Sequence, residues 1–173
     1  VYIKGIDRPD DETDLIRFFG NQDWIDVKIV DATEDFIKAL EGITDPKLKR
    51  MAMRGVYVQI LEREVAEFGA DVIVHGTLYA DEVESGHGHA TGARRAVIKI
   101  HHNVGLKFSV QELKPIADCV KDNARDIGRD IGVPEELLTK HPFPGPGLMV
   151  RIEGEVTAGR LAIDQELMDQ LKQ

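Results

Sequence analysis

Residues 47–76 read KLKRMAMRGVYVQILEREVAEFGADVIVHG, and this stretch decides the fold class. Apolar residues recur at helical spacing over residues 47–68 and are interrupted only at Gly55, so a long helix is predicted there. Gly69 ends this helix, and residues 71–74 follow as a short apolar strand. A long helix that leads directly into an apolar strand is typical of an α/β fold.

The same alternation extends in both directions along the chain. Strands are predicted at residues 1–3, 27–30, 97–100 and 150–152, and helices at residues 14–19, 33–42, 47–68, 116–131 and 161–171, with a short helix opening at Pro134. Strands alternating with helices predict an α/β fold with a mostly parallel sheet and flanking helices. Such sheets bind ligands at the carboxyl ends of their strands. The expected functional edge therefore follows Ile3, Val30 and Val74.

Composition bounds the class of protein. With 173 residues, of which 42% are hydrophobic and 31% charged, residues 1–173 are expected to form one domain. The net charge of -9 argues against a general nucleic-acid binder. Cys119 is the single cysteine, which indicates a reducing, cytoplasmic compartment, and no apolar run reaches the ~18 residues of a membrane helix. Because the chain starts at Val1 on a strand-like run, we expect a piece of a longer protein.

Residues 78–96 break the alternation with three glycines and few apolar residues. A long loop is predicted there, and we expect it to be mobile without ligand. Its histidines, His87 and His89, together with His101 and His102, raise the question of a metal site. Solvated loop histidines are the favoured interpretation, because a mobile loop is a poor place to preorganise metal ligands.

Two basic groups and one stiff loop are candidate binding features. Each basic group is compatible with a solvated surface or with polyphosphate binding; one comprises Arg94, Arg95 and Lys99, and the other Lys47, Lys49, Arg50 and Arg54. Residues 141–147 read HPFPGPG, in which prolines fix the backbone and glycines leave it bare. This loop suits either a rigid turn or the binding of a planar ligand or a phosphate.

Several motifs, in matching order, resemble those of GMP synthases. They are KIHHNVG at 99–105, HPFPGPGL at 141–148 and RIEGEVT at 151–157. Residues 39–46, Lys49-Arg50 and residues 76–85, 118–125 and 127–135 are also similar to that family. The proline-glycine heptapeptide is specific enough to argue against related ATP-pyrophosphatases such as NAD synthetases or tRNA-thiolating enzymes.

The resemblance implies a ligase of purine biosynthesis with an adenine nucleotide alpha hydrolase-like ATP-pyrophosphatase fold, present here in part. Such an enzyme converts XMP to GMP: ATP, with Mg²⁺, adenylates the xanthine O2, and ammonia from a glutaminase domain or subunit displaces AMP. The resemblance also implies a homodimer, with residues 148–173 leading towards a dimerisation segment.

The resemblance assigns site residues as follows. Lys99, Asp81 and Glu84 are the expected catalytic residues, with Asp81 also a candidate metal ligand. The expected substrate-binding residues are His101, His102, Asn103, Pro142, Phe143, Pro144, Gly145, Pro146 and Gly147. The expected ATP- and phosphate-binding residues are Lys49, Arg50, Gly76 and Thr77.

The chain departs from the family pattern at several points. The family's pyrophosphate-binding Ser-Gly-Gly-X-Asp-Ser run is absent from these 173 residues. Lys4-Gly5 stands where a His-Gly pair is usual, Ile100 where a serine is usual and Leu106 where a second glycine is usual. We therefore expect the chain alone to be inactive. A diverged, non-catalytic paralogue for nucleotide sensing or subunit interaction is the alternative.

Overall fold

The structure, a computed structural model, describes residues 1–5, 7–8, 10–84, 108–140 and 147–170. The chain divides into two compact units, unit 1 (Val1–Glu64 with Pro144–Gln173) and unit 2 (Val65–Phe143). The predicted strand at residues 97–100 lies outside the described residues, as do residues 85–96 of the predicted loop. That residues 1–173 form a single domain stays a prediction.

Unit 1 is built on a pair of parallel strands, β1 (Tyr2–Lys4) and β2 (Ile29–Asp31), in which Ile3 lies opposite Val30. Helix α1 (Asp11–Phe19) connects the strands. The unit continues with α2 (Thr33–Ala39), most of α3 (Pro46–Phe68), a 3-10 helix (Leu148–Val150) and α7 (Ala158–Gln170). Parallel strands joined through a helix are the arrangement that the alternating sequence predicts.

Helix α3 has clear start and stop signals. The Asp45 carboxylate accepts hydrogen bonds from the backbone N–H groups of Lys47 and Leu48, each at 2.9 Å. These bonds satisfy donors that have no partner within the helix, and the proline that follows Asp45 suits the first helical position. At the other end, the Ala70 N–H donates to the Val65 carbonyl at 3.1 Å. The long helix predicted from periodicity is confirmed.

The described buried apolar side chains all belong to unit 1. Phe36 and Leu40 are fully buried, and the 3-10 helix buries Leu148 and Met149. The other members of this core are Ile3, Ala32, Met53, Val56, Ile60, Leu61, Ile152, Val156 and Leu161. Buried side chains from residues 3–61 and from residues 148–161 thus belong to the core of unit 1.

Unit 2 contains a second parallel pair, β3 (Val72–Val74) and β4 (Gln111–Leu113), with Ile73 opposite Glu112. Its helices are α4 (Tyr79–Glu84), α5 (Lys121–Asp130) and α6 (Glu135–Leu138). The α/β class with parallel strand pairing is therefore confirmed. Among the described residues, no helix is long and apolar enough to cross a bilayer.

Three sequence predictions are wrong in detail. The predicted strand at residues 150–152 does not form: Val150 ends the 3-10 helix (Leu148–Val150), which buries Leu148 and Met149, and Arg151 and Ile152 follow as a turn and a bend. The predicted loop begins with the short helix α4. The helix predicted over residues 116–131 is shorter, at Lys121–Asp130, since turns occupy residues 115–118.

Candidate functional site

The carboxyl end of β3 carries the residues predicted to bind ATP in unit 2. Thr77 is fully buried, whereas Gly76 is exposed, and a Cβ added at Gly76 would meet no atom of the described residues within 4 Å. None of the described residues therefore crowds the backbone at Gly76. This position, directly after a parallel strand, is where nucleotides bind in α/β sheets.

Asp81 has a local structural task at the start of α4. Its carboxylate accepts a hydrogen bond from the Leu78 backbone N–H at 3.0 Å. An acidic residue in the first turn that bonds back to the residue before the helix is half of a capping box. Glu84 is the last residue of α4. The catalytic roles of Asp81 and Glu84 stay predictions.

The described residues contain no group of three or more metal-ligating side chains. Asp81 is thus a single candidate carboxylate for Mg²⁺, and it already accepts the Leu78 N–H. Mg²⁺ in phosphate-transfer sites is held by one or two carboxylates together with substrate phosphates. Within the described part of the chain, Asp81 would therefore need nucleotide phosphates as further ligands to hold Mg²⁺.

His75 is a buried residue of this edge that sequence reasoning missed. Its side chain is only 7% exposed, and its Nε2 atom has no hydrogen-bond partner within the described part of the chain. The Glu112 carboxylate lies 3.9 Å from Nε2, and the Phe108 ring centroid lies 5.2 Å from that of His75. Burial lowers the pKa of His75, an effect that Lys114 reinforces and Glu112 opposes. Its position directly after the apolar strand β3 (Val72–Val74) is the sequence feature that could have identified His75.

In unit 1, Lys49 is buried and its ammonium group donates two hydrogen bonds to a loop that is distant in sequence. The side chain is 1% exposed, and Nζ donates to the carbonyl oxygens of Ile152 and Gly154, each at 2.6 Å. Burial lowers the pKa of Lys49, and the neighbouring Arg160 lowers it further. Phosphate binding by Lys49 stays a prediction, but the ammonium is already used by a loop more than 100 residues away in sequence.

Arg50, the neighbour of Lys49 on α3, is exposed. Its guanidinium donates to the Pro46 carbonyl at 3.4 Å. Successive residues on a helix point in different directions. The structure therefore separates the two basic residues that the sequence had grouped, since one is buried and one faces solvent.

The loop that Lys49 contacts is also held by Arg160, which sequence reasoning did not single out. The Arg160 Nη1 atom donates to the carbonyls of Glu153 at 3.2 Å and Glu155 at 2.8 Å. Lys49 and Arg160 thus bind four consecutive carbonyl groups of residues 152–155. We call this arrangement the carbonyl clamp. The Glu155 carboxylate also accepts the Gly42 backbone N–H at 3.0 Å.

Gly147 is the one described residue of the proline-glycine loop. Its backbone has a φ of 73° and a ψ of -163°, which favours glycine, and it immediately precedes the 3-10 helix (Leu148–Val150). Nine other residues with predicted site roles lie outside the described part of the chain: Lys99, His101, His102, Asn103, Pro142, Phe143, Pro144, Gly145 and Pro146.

Unit 2 also positions the segment 127–135, which resembles the family. Arg129 forms two 2.9 Å hydrogen bonds to the Glu135 carboxylate and a third, at 2.8 Å, to Asp126. The Arg129 guanidinium lowers the pKa of Glu135. This bidentate contact joins α5 to α6 at an exposed position.

Comparison with known proteins finds curated GMP synthases that match nearly the whole of this chain. The chain is 44% identical over 170 residues to a glutamine-hydrolysing GMP synthase from Synechocystis, covering 92% of this chain and 31% of that protein. The corresponding enzyme of Thermotoga maritima is 36% identical over 165 residues, covering 94% of this chain and 32% of its own length. That of Phenylobacterium zucineum is 41% identical over 166 residues, with the same coverage of 94% and 32%.

The chain therefore belongs to the GMP synthase family along the segment that it shares with these relatives. It spans about a third of the length of the curated relatives that it matches. No protein-family model matches the sequence. The resemblance drawn from the ordered motifs is confirmed.

Proposed function

We propose that this chain supplies the XMP-binding and part of the ATP-binding surface of a GMP synthase. In the proposed reaction, ATP adenylates the xanthine O2 of XMP and releases pyrophosphate. Ammonia from a glutaminase domain or subunit then displaces AMP to give GMP. The single observation that carries this proposal is the 44% identity over 92% of the chain to a glutamine-hydrolysing GMP synthase.

The proposed ATP contacts belong to the edge after β3, where Gly76 and Thr77 lie, and to Arg50 on α3. The exposed backbone of Gly76 supports a nucleotide contact, since none of the described residues crowds it. An exposed guanidinium such as that of Arg50 suits phosphate oxygens, which it binds through more than one N–H. Asp81 remains the proposed carboxylate for the Mg²⁺ that accompanies ATP, and Lys99, Asp81 and Glu84 the proposed catalytic group.

The proposed XMP contacts are His101, His102, Asn103 and residues 142–147. Gly147 supports this proposal, because its backbone conformation and the buried residues that follow fix the end of the loop. We further propose a cytoplasmic enzyme of purine biosynthesis that acts as a homodimer.

A segment exchange tests the proposed function. Residues 1–173 would replace the matching segment, 165 aligned residues, of the Thermotoga maritima GMP synthase. The hybrid is then assayed for GMP formation from XMP, ATP and ammonia. We expect GMP at a rate well above that of a hybrid carrying Lys99→Met, whose side chain is a proposed catalytic group.

The contrary outcome favours the non-catalytic alternative. If the hybrid folds, hydrolyses glutamine and yet makes no GMP, the segment has lost the synthetase function. A diverged paralogue for nucleotide sensing or subunit interaction then explains the sequence better. Circular dichroism and glutaminase activity of the hybrid are the controls for folding.

A further inference from the structure

We propose that a groove between α2 and α3 of unit 1 binds a phosphate monoester whose planar body carries N–H donors. The groove has a volume of about 490 Å³, within the roughly 300–1,000 Å³ of small-molecule sites. This site is independent of the proposed synthetase reaction. The described residues that line it are Asp35, Lys38 and Ala39 on α2, and Val56, Gln59, Ile60 and Arg63 on α3.

The lining residues occupy one face of each helix. Asp35, Lys38 and Ala39 are spaced three and four residues apart, and the lining residues of α3 follow the same spacing, so each set shares a helix face. Val56 and Ile60 are 9% and 3% exposed and form an apolar floor. The groove thus combines an apolar floor, which suits a planar ring, with polar side chains from both helices.

Arg63 is held at the groove by a buried carboxylate. Its Nε atom donates to the Glu64 Oε1 atom at 3.3 Å, and the Glu64 side chain is only 4% exposed. The Lys28 ammonium contacts the other Glu64 oxygen, and Lys28 and Arg63 together lower the pKa of Glu64 against the opposing effect of burial. Because Glu64 is therefore ionised at neutral pH, it orients Arg63 through Nε and leaves both terminal nitrogens for a ligand.

The polar groups of the groove select an anion. The side chains of Asp35, Lys38 and Gln59 form no hydrogen bond or ion pair with another described residue. Lys38 and Arg63 outnumber the one carboxylate, in a chain whose net charge is -9.

These groups also define the rest of the ligand. A guanidinium binds phosphate oxygens through two N–H groups, and an ammonium adds a point charge. An ionised Asp35 can only accept hydrogen bonds, so the body of the ligand must donate them. Inorganic phosphate shares the anionic group but leaves the apolar floor and the Asp35 carboxylate unused.

The groove lies apart from the proposed ATP contact on the same helix. Arg50 precedes Arg63 by thirteen residues in α3, which is about 20 Å along the axis at ~1.5 Å per residue. Neither Lys38 nor Asp35 takes part in the proposed reaction. Loss of binding at the groove would therefore leave the proposed synthetase function untouched, and the two can fail separately.

The test is a titration of the 173-residue chain with GMP and, separately, with inorganic phosphate, followed by amide NMR spectra. GMP is the probe because its phosphate is joined to a planar base with N–H donors. We expect GMP to shift the amide signals of residues 35–39 and 56–63 and to bind at least about tenfold more tightly than phosphate. Lys38→Met and Arg63→Met should each weaken GMP binding about tenfold, the loss of one charged hydrogen bond. Lys121→Met, exposed on α5, is the matched control and should change nothing.

Asp35→Ala separates recognition from repulsion. It should weaken GMP binding about threefold or more, because the base loses its acceptor, and strengthen phosphate binding, because a nearby negative charge is gone. The substituted side chains are all exposed, so the variants are expected to keep the melting temperature of the wild type.

Three results would overturn the proposal. The first is a GMP titration that leaves the signals of residues 35–39 and 56–63 unshifted. The second is unchanged GMP affinity in both Lys38→Met and Arg63→Met. The third is equal affinity for GMP and inorganic phosphate, which would contradict a ligand whose planar body contacts the groove.

Discussion

Substituting Gly154 with alanine tests the carbonyl clamp by its energy. Gly154 and Gly69 both have left-handed backbones, with φ of 74° and 68°, so alanine at either site costs about 1–2 kcal/mol of backbone strain. At Gly154 the new Cβ would meet the Arg160 Nη1 atom, at 3.0 Å, whereas at Gly69 it would meet none of the described residues within 4 Å. Displacing Arg160 loses its bonds to Glu153 and Glu155, partly exposed contacts worth about 1 kcal/mol together.

The expected free energies of unfolding therefore differ between two chemically identical changes. Gly69→Ala should lose about 1–2 kcal/mol and Gly154→Ala about 2–3 kcal/mol, by the sums of strain and lost hydrogen bonds. Urea denaturation followed by far-ultraviolet circular dichroism measures both values, and the melting temperatures should differ by roughly 2–4 °C. Equal losses in the two variants would refute the claim that Arg160 holds the loop.

Three further changes test the core, the long helix and the buried histidine. Phe36→Ala, at a fully buried site, should lose about 3–5 kcal/mol of unfolding free energy, measured by urea denaturation. Phe68→Ala, at a site that is 79% exposed, should lose less than about 0.5 kcal/mol. Similar losses in the two variants would contradict the assigned core. Asp45→Ala removes the cap of α3 and should cost about 1 kcal/mol by the same measurement, whereas no loss would mean that the cap contributes nothing. Because burial lowers the pKa of His75, the unfolded chain binds its proton first, so stability should fall as the pH drops below about 6.5. Melting temperatures from pH 8 to pH 5 should show this fall in the wild type and a smaller one in His75→Gln, and identical pH profiles would contradict it.

Elements with strong local signals could be predicted from the sequence. Helix α3 has apolar periodicity, the Asp45 cap with a proline after it and Gly69 beyond its end, and all of these signals agree. Strand β4 (Gln111–Leu113) was not predicted, because a single apolar residue in three gives no pattern. Its partner is β3, about 40 residues earlier in the chain. Pairing with a strand so distant in sequence produces no pattern within the local sequence.

The motifs in the sequence located the candidate site, but they did not show what each of its residues does. The ordered motifs placed residues 141–157 in the GMP synthase family, as the comparisons confirm. Lys49 was grouped with Arg50 because both belong to a basic segment of the predicted helix and to a motif that resembles the family. The sequence alone does not show that Lys49 is buried and Arg50 exposed. The clamp joins α3 to a loop more than 100 residues away, a distance over which spacing in sequence says nothing about contact.

Binding of XMP to the 173-residue chain, compared with IMP, is the most direct test of the central claim. The two nucleotides differ at C2 of the purine, where XMP carries the oxygen that the proposed reaction adenylates. Calorimetric titration should show XMP bound at least about tenfold more tightly than IMP, since a site that hydrogen-bonds this oxygen discriminates against its absence. Equal affinity for the two nucleotides, or no binding of XMP by the folded chain, would contradict the assignment of this segment to XMP recognition.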